Sequence, residues 1–449
     1  MDLLHYFSDP VLRAPTIGCM LMGFAASLVG MLMLLKRQAL IGEVLSHAAF
    51  PGIVAGALVA SFFPWETGDL SQILVMASAA LACLAGSWAV SFLKVRMRIR
   101  SDSALCFVLA VFFGVGVLLA SQIQMTHAVL YKQSLLFLYG QVATMTDAMI
   151  PIYALLAFFT LAIVIILYYP LQALLFDRQF ATINGLRTTL VDTCVSALLI
   201  LAIVVGMRSI GVVLMAGMLI APAIAARPWT HRLWACFVLA AVFGVVSSFL
   251  GNVVSVEGSR LLAEKYPEWK FSLPTGPLIL LFAAAFALLS LFFAPKSGIL
   301  ARIIRMALFR QRIAREHLLK ALWRKGRNSL ISQEEAAEML SQSLLIRWFC
   351  LLWLSWEGLL TKEAGGLYCL TDKGWARACR IVRLHRLWEV YLVDYLSQGV
   401  DKVHRSAEEL EHVMSAELET ELEKLLGDLR FDPHSQPIPS REEATWPTR

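Results

Sequence analysis

The chain has 449 residues, of which 58% are apolar and only 16% are charged. Globular proteins carry about 25% charged residues, so this composition excludes an ordinary soluble enzyme built around one large core. Residues 1–295 hold 28 charged side chains and residues 296–449 hold 44, so the first part suits lipid and the second suits water. The modest net charge of +6 does not by itself indicate a nucleic-acid partner.

Nine apolar stretches in the first part approach the length of a transmembrane helix. A hydrocarbon core about 30 Å thick requires about 20 apolar residues of helix. The stretches lie near 17–35, 44–63, 72–93, 104–121, 149–169, 190–206, 209–226, 233–250 and 276–294. The sixth and seventh are short and separated only by Met207 and Arg208, so they are alternatively one broken element, which gives eight spans. The sequence therefore predicts an all-α polytopic membrane domain with eight or nine transmembrane helices.

Positive charge in the short loops predicts the orientation of these helices. A Lys-Arg pair at 36–37 follows the first stretch, and four basic residues within 94–100 follow the third. The loop after the second stretch carries two acidic residues and no cation. Because cytoplasmic loops are enriched in Lys and Arg, we expect the N-terminus outside and residues 296–449 in the cytoplasm.

The second part combines a basic segment with the element order of a winged helix. Its first residues, 296–326, are basic and amphipathic, which is typical of a helix on a membrane surface. The elements expected after it are a helix opened by a capping box from Ser332 to Glu335, a second helix at about 342–357, a ribbon around 363–366, and helical runs at 373–398 and 406–428 before a Pro-rich tail. Helix, turn, helix and wing is the order of a winged helix-turn-helix module, so we expect an α+β domain here.

Glu43 and His47 are ionisable residues at the second apolar stretch, in the segment LIGEVLSHAAFPG. An ionisable residue within a span is costly and is a functional candidate by default. The i,i+4 spacing puts both side chains on one helix face, and a carboxylate with an imidazole suits Mn, Fe or Zn. The alternative is a helix-start Glu beside a hydrogen-bonded core His, and the spacing alone leaves both open. Asp192 and His127 are weaker candidates, which we interpret as structural or loop residues.

Three segments resemble the ATP-binding-cassette permeases that import zinc, manganese and iron. They are KRQALIGEVLSHAAFPG, which contains Glu43 and His47, FDRQFATINGL at 176–186 and SIGVVLMAGMLIAPAIAAR at 209–227. The resemblance covers roughly residues 10–295 and implies a multi-pass protein of the bacterial inner membrane, acting in a homodimer or heterodimer of permeases. It implies that Glu43 and His47 bind the ion in transit. The loop docks on an ATPase in such permeases, which assigns coupling to Phe176, Asp177, Phe180 and Gly185.

The chain contains no phosphate-binding loop of the GxxxxGK[ST] type, so it does not hydrolyse ATP by that route. The resemblance therefore implies a separate ATPase subunit and an extracytoplasmic metal-binding protein as partners. We expect a transport subunit and not an enzyme.

A second set of candidate metal ligands lies in the second part of the chain. The first group comprises His385, Glu389 and His404, and the second comprises Glu408, Glu411 and His412. Spacings of three and four residues within each helical run put side chains on a common face. Surface helices rich in Glu and His are common, so a solvated face is the alternative for any one pair. Two groups within about thirty residues favour a shared metal site.

Four further segments resemble the iron- and manganese-responsive repressors of the diphtheria-toxin-repressor family. They are LTDKG (370–374), RLHRLWE (383–389), VHRSAEELEHVMS (403–415) and DPHSQPIPS (432–440). The resemblance runs from about Arg315 to Ser440. It implies the same two ligand groups and adds His317 as a first-helix ligand. Manganese-type members carry Glu where this chain has Glu408, and a set of O and N donors favours Mn²⁺ or Fe²⁺, with Zn²⁺ also possible as the transported ion.

The helix expected to read DNA departs from that family. SQSLLIRWFCLLWLSWEG (341–358) is far more apolar than a base-reading helix, and its main polar candidates are Gln342, Ser343 and Arg347. Side chains that read bases or phosphates must donate or accept hydrogen bonds. Either few groups contact a DNA operator, or this surface packs on protein or membrane.

We therefore predict the membrane permease subunit of an ATP-driven divalent metal importer, with a C-terminal metal-responsive, repressor-like domain. This arrangement is similar to the permease–regulator fusions of chlamydial metal transporters. The alternatives are a membrane-tethered transcriptional repressor, which proteolysis within about 296–315 would release, and a cytoplasmic metal gate on the transporter. The expected domains are a permease at 1–295, a basic linker at 296–312, a winged helix-turn-helix at 313–382, and a metal-binding and dimerisation region at 383–449.

Overall fold

The computed structural model divides into two compact units, Met1–Arg302 and Ile303–Arg449. The residues that the structure describes are 4–62, 69–126, 131–132, 134, 137–138, 140, 142–267, 272–332, 335, 344–363, 366–399, 403–404, 406–408, 416–427 and 429–444.

The first unit is built from helices, and its described part contains eight that are long and apolar enough to cross a membrane. In chain order the helices are α1 (His5–Ser8), α2 (Pro10–Leu35), α3 (Leu40–Ser61), α4 (Asp69–Val95), α5 (Ser101–Thr126), α6 (Ile150–Ile166), α7 (Tyr168–Phe176), α8 (Arg178–Ile183), α9 (Thr188–Met207), α10 (Val212–Ala226), α11 (Leu233–Lys265) and α12 (Thr275–Phe293). The predicted all-α polytopic architecture is confirmed.

The sixth and seventh predicted spans are two separate helices of different length. The chain turns between them, where Gly211 adopts a left-handed φ of +94°, a conformation that glycine reaches without a steric penalty. Helix α10 has 15 residues, which corresponds to about 22 Å of helix and is shorter than a hydrocarbon core. Of the two predicted counts, the described residues agree with eight long spans, and α10 is an additional short helix that is largely buried.

Helix α11 continues 15 residues beyond the predicted end at 250. Polar groups in this extension have partners on other helices. Asn252 donates to the Thr16 hydroxyl at 2.7 Å, and the Tyr6 hydroxyl donates to Glu257 at 3.0 Å. Because these contacts satisfy the polar side chains, the helix persists where apolar periodicity ends.

The core of the first unit forms around α2 and α10. Helix α2 packs against α6, α10 and α11, while α3 packs against α4, α5 and α10. A Cβ atom on Gly30 would lie 1.6 Å from the Leu219 carbonyl oxygen, so only glycine permits the observed approach of α2 to α10. Small residues allow such close helix contacts in membrane proteins.

The second unit contains helices around a two-stranded ribbon. Its elements are α13 (Ile299–Lys325, which begins four residues before the unit boundary), α14 (Leu344–Trp356), β1 (Leu360–Lys362), β2 (Tyr368–Leu370), α15 (Asp372–Asp394) and α16 (Ala416–Leu426). The antiparallel strands pair Leu360 with Leu370 and Lys362 with Tyr368. Buried residues of α13, α14, the strands and α15 form one core. The basic segment 296–312 is thus mostly the first part of a continuous helix.

Local signals explain several boundaries in this unit. Ser332 and Glu335 make both reciprocal capping-box contacts, although the helix expected after them lies outside the described residues. The Thr371 hydroxyl accepts a hydrogen bond from the Gly374 amide and starts α15. That helix ends at Asp394 and not at the predicted 398, because Ser397 adopts a left-handed φ of +52° and terminates it.

Candidate metal centres

Glu43 and His47 lie in the first two turns of α3, the helix that begins at Leu40. Both side chains are partly buried. The His47 Nδ1 atom is buried and has no hydrogen-bond partner among the described residues, while its ring meets the edge of Phe113 with centroids 5.2 Å apart. An unpaired buried polar atom is costly, so Nδ1 is available to a ligand. In the described part of the chain, no third His, Cys, Asp or Glu joins this pair in a metal-binding group.

The short helix α8 forms the middle of the predicted ATPase-docking loop. The Asp177 carboxylate accepts hydrogen bonds from the Gln179 and Phe180 amides at 2.7 and 3.3 Å, which caps the helix. Phe176, Phe180 and Ile183 are exposed by 87%, 54% and 85%. After the helix, Gly185 turns the chain with φ +77°. The end of α7 and the capped helix α8 therefore present three large apolar side chains to their surroundings.

Asp192 fixes this loop to the neighbouring helix ends. Its carboxylate contacts the Lys36 ammonium at 2.6 Å and the Arg178 guanidinium at 2.8 Å, and Lys36 is almost fully buried. These pairs join the end of α2, the start of α8 and the first turns of α9. The structural interpretation of Asp192 agrees with these contacts, whereas His127 lies outside the described residues. The ion pairs themselves were not predicted, because they join positions up to 156 residues apart.

His385, Glu389 and His404 form a compact group in the second unit. The Glu389 Oε1 atom lies 3.2 Å from the His385 Nε2 atom and 2.7 Å from the His404 Nδ1 atom. The two ring nitrogens are 3.0 Å apart. His385 and Glu389 are buried on α15, whereas His404 is half-exposed and comes from the following segment. One ligand atom from each residue lies within 4.8 Å of the others, the spacing of a metal site.

The Glu389 carboxylate is strongly held in its ionised form. Burial by itself raises the pKa of this group, but hydrogen bonds and positive charge from His385 and His404 outweigh burial and lower the pKa to about 2. An ionised carboxylate is the form that binds a cation. The group therefore offers a permanent negative charge beside two imidazoles.

A cavity of about 580 Å³ opens next to this group. Asp432 and His434 line it, although sequence reasoning did not assign them as ligands. Asp432 approaches Arg386 at 3.5 Å, and its Oδ1 atom accepts hydrogen bonds from the His434 and Gln436 amides. Both residues belong to the segment DPHSQPIPS (432–440), and the pairing of a carboxylate with an imidazole there is the sequence feature that could have marked them as candidate ligands. Three cations, Lys320, Arg324 and Arg386, also line the cavity.

The second predicted ligand group is only partly described. The His317 Nδ1 atom of α13 lies 4.0 Å from the Glu408 Oε1 atom. Glu411 and His412, which were assigned to the same group, lie outside the described residues, as do the DNA-contact candidates Gln342 and Ser343. Arg347 lies within α14, but its side chain is not described. The structure thus brings His317 to the segment that carries the second group.

Comparisons with known proteins define the class of each part. A model of the ABC 3 transport family matches residues 8–294, and one of the iron dependent repressor metal binding and dimerisation domain matches residues 371–440. The chain belongs to the ABC 3 transport family and carries the repressor-type domain after its permease.

Particular relatives match over different lengths. A probable metal transport system membrane protein of Chlamydia trachomatis is 35% identical over 97% of both chains. The manganese transport system membrane protein MntC of Bacillus subtilis is 32% identical over 84% of this chain and 82% of its own length. The zinc transport system membrane protein TroC of Treponema pallidum is 32% identical over 74% of this chain and 99% of its own length. The two-part architecture is therefore shared with the chlamydial relative almost from end to end.

The chain is a multi-pass membrane subunit of a metal transport system, and it is not catalytic. Membership of the family implies an ATPase subunit and a metal-binding protein as partners. The family of the second domain implies dimerisation and the binding of a divalent metal, which the group around Glu389 fits by its donor atoms.

Proposed function

We propose that this chain lets a divalent metal ion enter the cell through a path that includes Glu43 and His47. The observation that carries the proposal is the buried, unpaired Nδ1 atom of His47, on the same face of α3 as the Glu43 carboxylate. A histidine that served only the core would have its buried nitrogen satisfied. The candidate cargo ions are Mn²⁺, Fe²⁺ and Zn²⁺, since relatives are described for manganese and for zinc.

The energy for transport enters through α8. The exposed Phe176 and Phe180 side chains fit an apolar groove on an ATPase subunit, while Asp177 and Gly185 fix the start and the end of the docking helix. Asp192 forms ion pairs with Lys36 and Arg178, so a displacement of α8 by the ATPase would be transmitted to α2 and α9.

The second unit senses metal. His385, Glu389 and His404 are the residues that would hold the ion, with His434 of the adjoining cavity as a further donor. His317, Glu408, Glu411 and His412 form the second proposed group, of which the first two approach each other. The O and N donors favour Mn²⁺ or Fe²⁺. A bound ion supplies positive charge that links α15 to the segment beginning at 403.

The proposed setting is the bacterial inner membrane, with the second unit in the cytoplasm. The basic residues that follow the first and third predicted stretches support this orientation. The partners are an ATPase, an extracytoplasmic metal-binding protein and a second permease, identical or related. The division at Arg302 supports separate permease and sensor regions, and within the sensor we retain the winged helix at 313–382 and the dimerisation region at 383–449.

Uptake of radioactive Mn²⁺ into proteoliposomes that hold the full chain, its ATPase and its binding protein tests the transport site. We expect Glu43→Ala/His47→Ala to lower the initial rate at least about tenfold, because both proposed ligands are lost. Glu264→Ala/His231→Ala removes the same two residue types from exposed positions of the first unit and should leave the rate unchanged. Normal uptake by the first variant would show that the path does not use this pair.

The alternative in which the second unit represses transcription draws on the match to a repressor-type domain. The ribbon β1–β2 after α14 also agrees with the order of a winged helix. Against it, the described side chains on the outer face of α14 are apolar. A metal gate on the transporter remains the other alternative, since it requires the metal site and no DNA contact.

A further inference from the structure

Helix α14 exposes a stripe of large apolar side chains. Phe349, Leu352, Trp353 and Trp356 are exposed by 49%, 48%, 38% and 82%, and their spacing of i, i+3, i+4 and i+7 places them on one face. The opposite face contributes Cys350, Leu351 and Leu354 to the core of the second unit. The helix is therefore apolar on both sides, and its outer side is an exposed apolar patch of the kind that marks an interaction site.

Helix α13 extends this surface. The Arg315 guanidinium lies over the Trp353 ring at 5.1 Å, and Glu357 accepts hydrogen bonds from both residues. Leu308 and Ile304 precede Arg315 by two and three helical turns, so they lie on the same side of α13. Both are about half-exposed. We name the set Ile304, Leu308, Phe349, Leu352, Trp353 and Trp356 the apolar surface.

Positive charge predominates at this surface, where the one carboxylate already named, Glu357, is engaged by Arg315 and Trp353. Residues 299–315 contain five arginines and no acidic residue. Arg302, Arg305, Arg310 and Arg312 are exposed beside the apolar side chains of α13. Such a combination of aromatic and aliphatic groups with arginines is complementary to the interface of an anionic bilayer, where rings lie at headgroup depth and guanidinium groups bind phosphates.

The chain keeps this surface close to the membrane. Helix α12, a candidate span, ends at Phe293, and α13 begins at Ile299. The five residues between them, 294–298, span six Cα–Cα steps and reach at most about 20 Å. The bilayer is therefore always within reach of the first turns of α13, at a high effective concentration.

We propose that the apolar surface binds the interface of an anionic phospholipid bilayer. A second copy of this chain fits less well, because it would bring two sets of five arginines together. A DNA duplex fits less well too, because the face offers few donors for base edges or phosphates. The membrane satisfies the aromatic side chains and the arginines at once.

Photocrosslinking of the full chain in nanodiscs tests the proposal. Benzoylphenylalanine replaces Leu352 or Leu308 of the apolar surface, or Leu425 of α16, which is exposed to the same degree and serves as the matched control. The nanodiscs contain phosphatidylcholine alone or with phosphatidylglycerol, and mass spectrometry identifies what the probe has captured. We expect lipid adducts at 352 and 308 to exceed those at 425 by at least about fivefold in the anionic discs, and to fall without phosphatidylglycerol.

A second variant tests whether the two helices form one surface. Trp356→Gln changes the most exposed ring of α14, and it should lower lipid capture by the probe at Leu308 on α13 while metal uptake persists. Equal lipid capture at 425, capture of a second protein chain at 352, or no adduct at 352 and 308 would each overturn the proposal.

Discussion

At the scale of single residues, Glu389 should dominate metal binding by the second unit. Its ionised carboxylate lies 2.7 Å from one imidazole nitrogen and 3.2 Å from another. Glu389→Gln keeps the shape and removes the charge, so we expect at least about a tenfold loss of Mn²⁺ affinity. Titration of the full chain in a Glu43→Ala/His47→Ala/His317→Ala/Glu408→Ala background, which also removes ligands of the other two proposed sites, isolates this site. Glu421→Gln, an exposed carboxylate on α16, should bind as the parent does, and equal affinities for all three would remove Glu389 from the site.

The ionisation of Glu389 predicts how its part in Mn²⁺ binding depends on pH. The pKa of Glu389 is lowered from 4.5 to about 2, so its stabilising ionised form is fully present above 4.5 and is lost only as pH falls towards 2. Between about pH 5 and 8 Glu389 should therefore stay ionised, and Mn²⁺ titrations of the parent across this range should show no loss of affinity that is due to protonation of this carboxylate. The i,i+4 spacing of His385 and Glu389 predicted their common face, since both are on one helix. His434 could not be placed, because it reaches the cavity through a loop without a periodic pattern.

At the scale of elements, the cap of α8 should set how well the docking helix is formed. Asp177→Ala removes two hydrogen bonds to the first amides of a six-residue helix and should destabilise it by about 1 kcal/mol. Asp177→Ser retains a capping oxygen and is the matched control. We expect transport-coupled ATP hydrolysis by the reconstituted complex to fall by up to about fivefold in the alanine variant alone. If serine impaired hydrolysis as much as alanine, the carboxylate would act by another route.

Elements with a strong apolar period were predictable, and those held by distant polar contacts were not. The predicted stretches 72–93 and 276–294 fall within or close to α4 and α12, because nearly every residue there is apolar. The last 15 residues of α11 were missed, since their stability depends on Thr16 and Tyr6 from the start of the chain. The separation of α9 from α10 rests on the left-handed φ of Gly211, and a single glycine in an apolar run does not reveal its conformation.

At the scale of the whole molecule, two metal-binding regions share one chain but lie in different compact units. Composition predicted this division, since charge density rises sharply after residue 295. The sequence could not reveal which face of α14 the second unit exposes. That property depends on which side of α14 enters the core, and only the packing of Cys350, Leu351 and Leu354 determines it.

Binding of the apolar surface to the membrane would limit the ability of the second unit to bind DNA. If the apolar surface occupies the bilayer, α14 is not free to enter a DNA groove, and its exposed face offers few of the hydrogen-bonding groups that read bases. We expect the full chain in anionic nanodiscs to bind DNA from upstream of its own coding sequence only at the non-specific level, with Kd of about 10⁻⁴ to 10⁻⁶ M. Mn²⁺ should not change that value, measured by fluorescence anisotropy at physiological salt, and a scrambled duplex should bind equally. If Mn²⁺ tightened binding to the upstream DNA alone by tenfold or more, the result would favour the repressor. A metal gate instead predicts that a high Mn²⁺ concentration inhibits uptake by the parent chain. If Mn²⁺ did not change DNA binding and Glu389→Gln abolished this inhibition of uptake, the results would favour the gate.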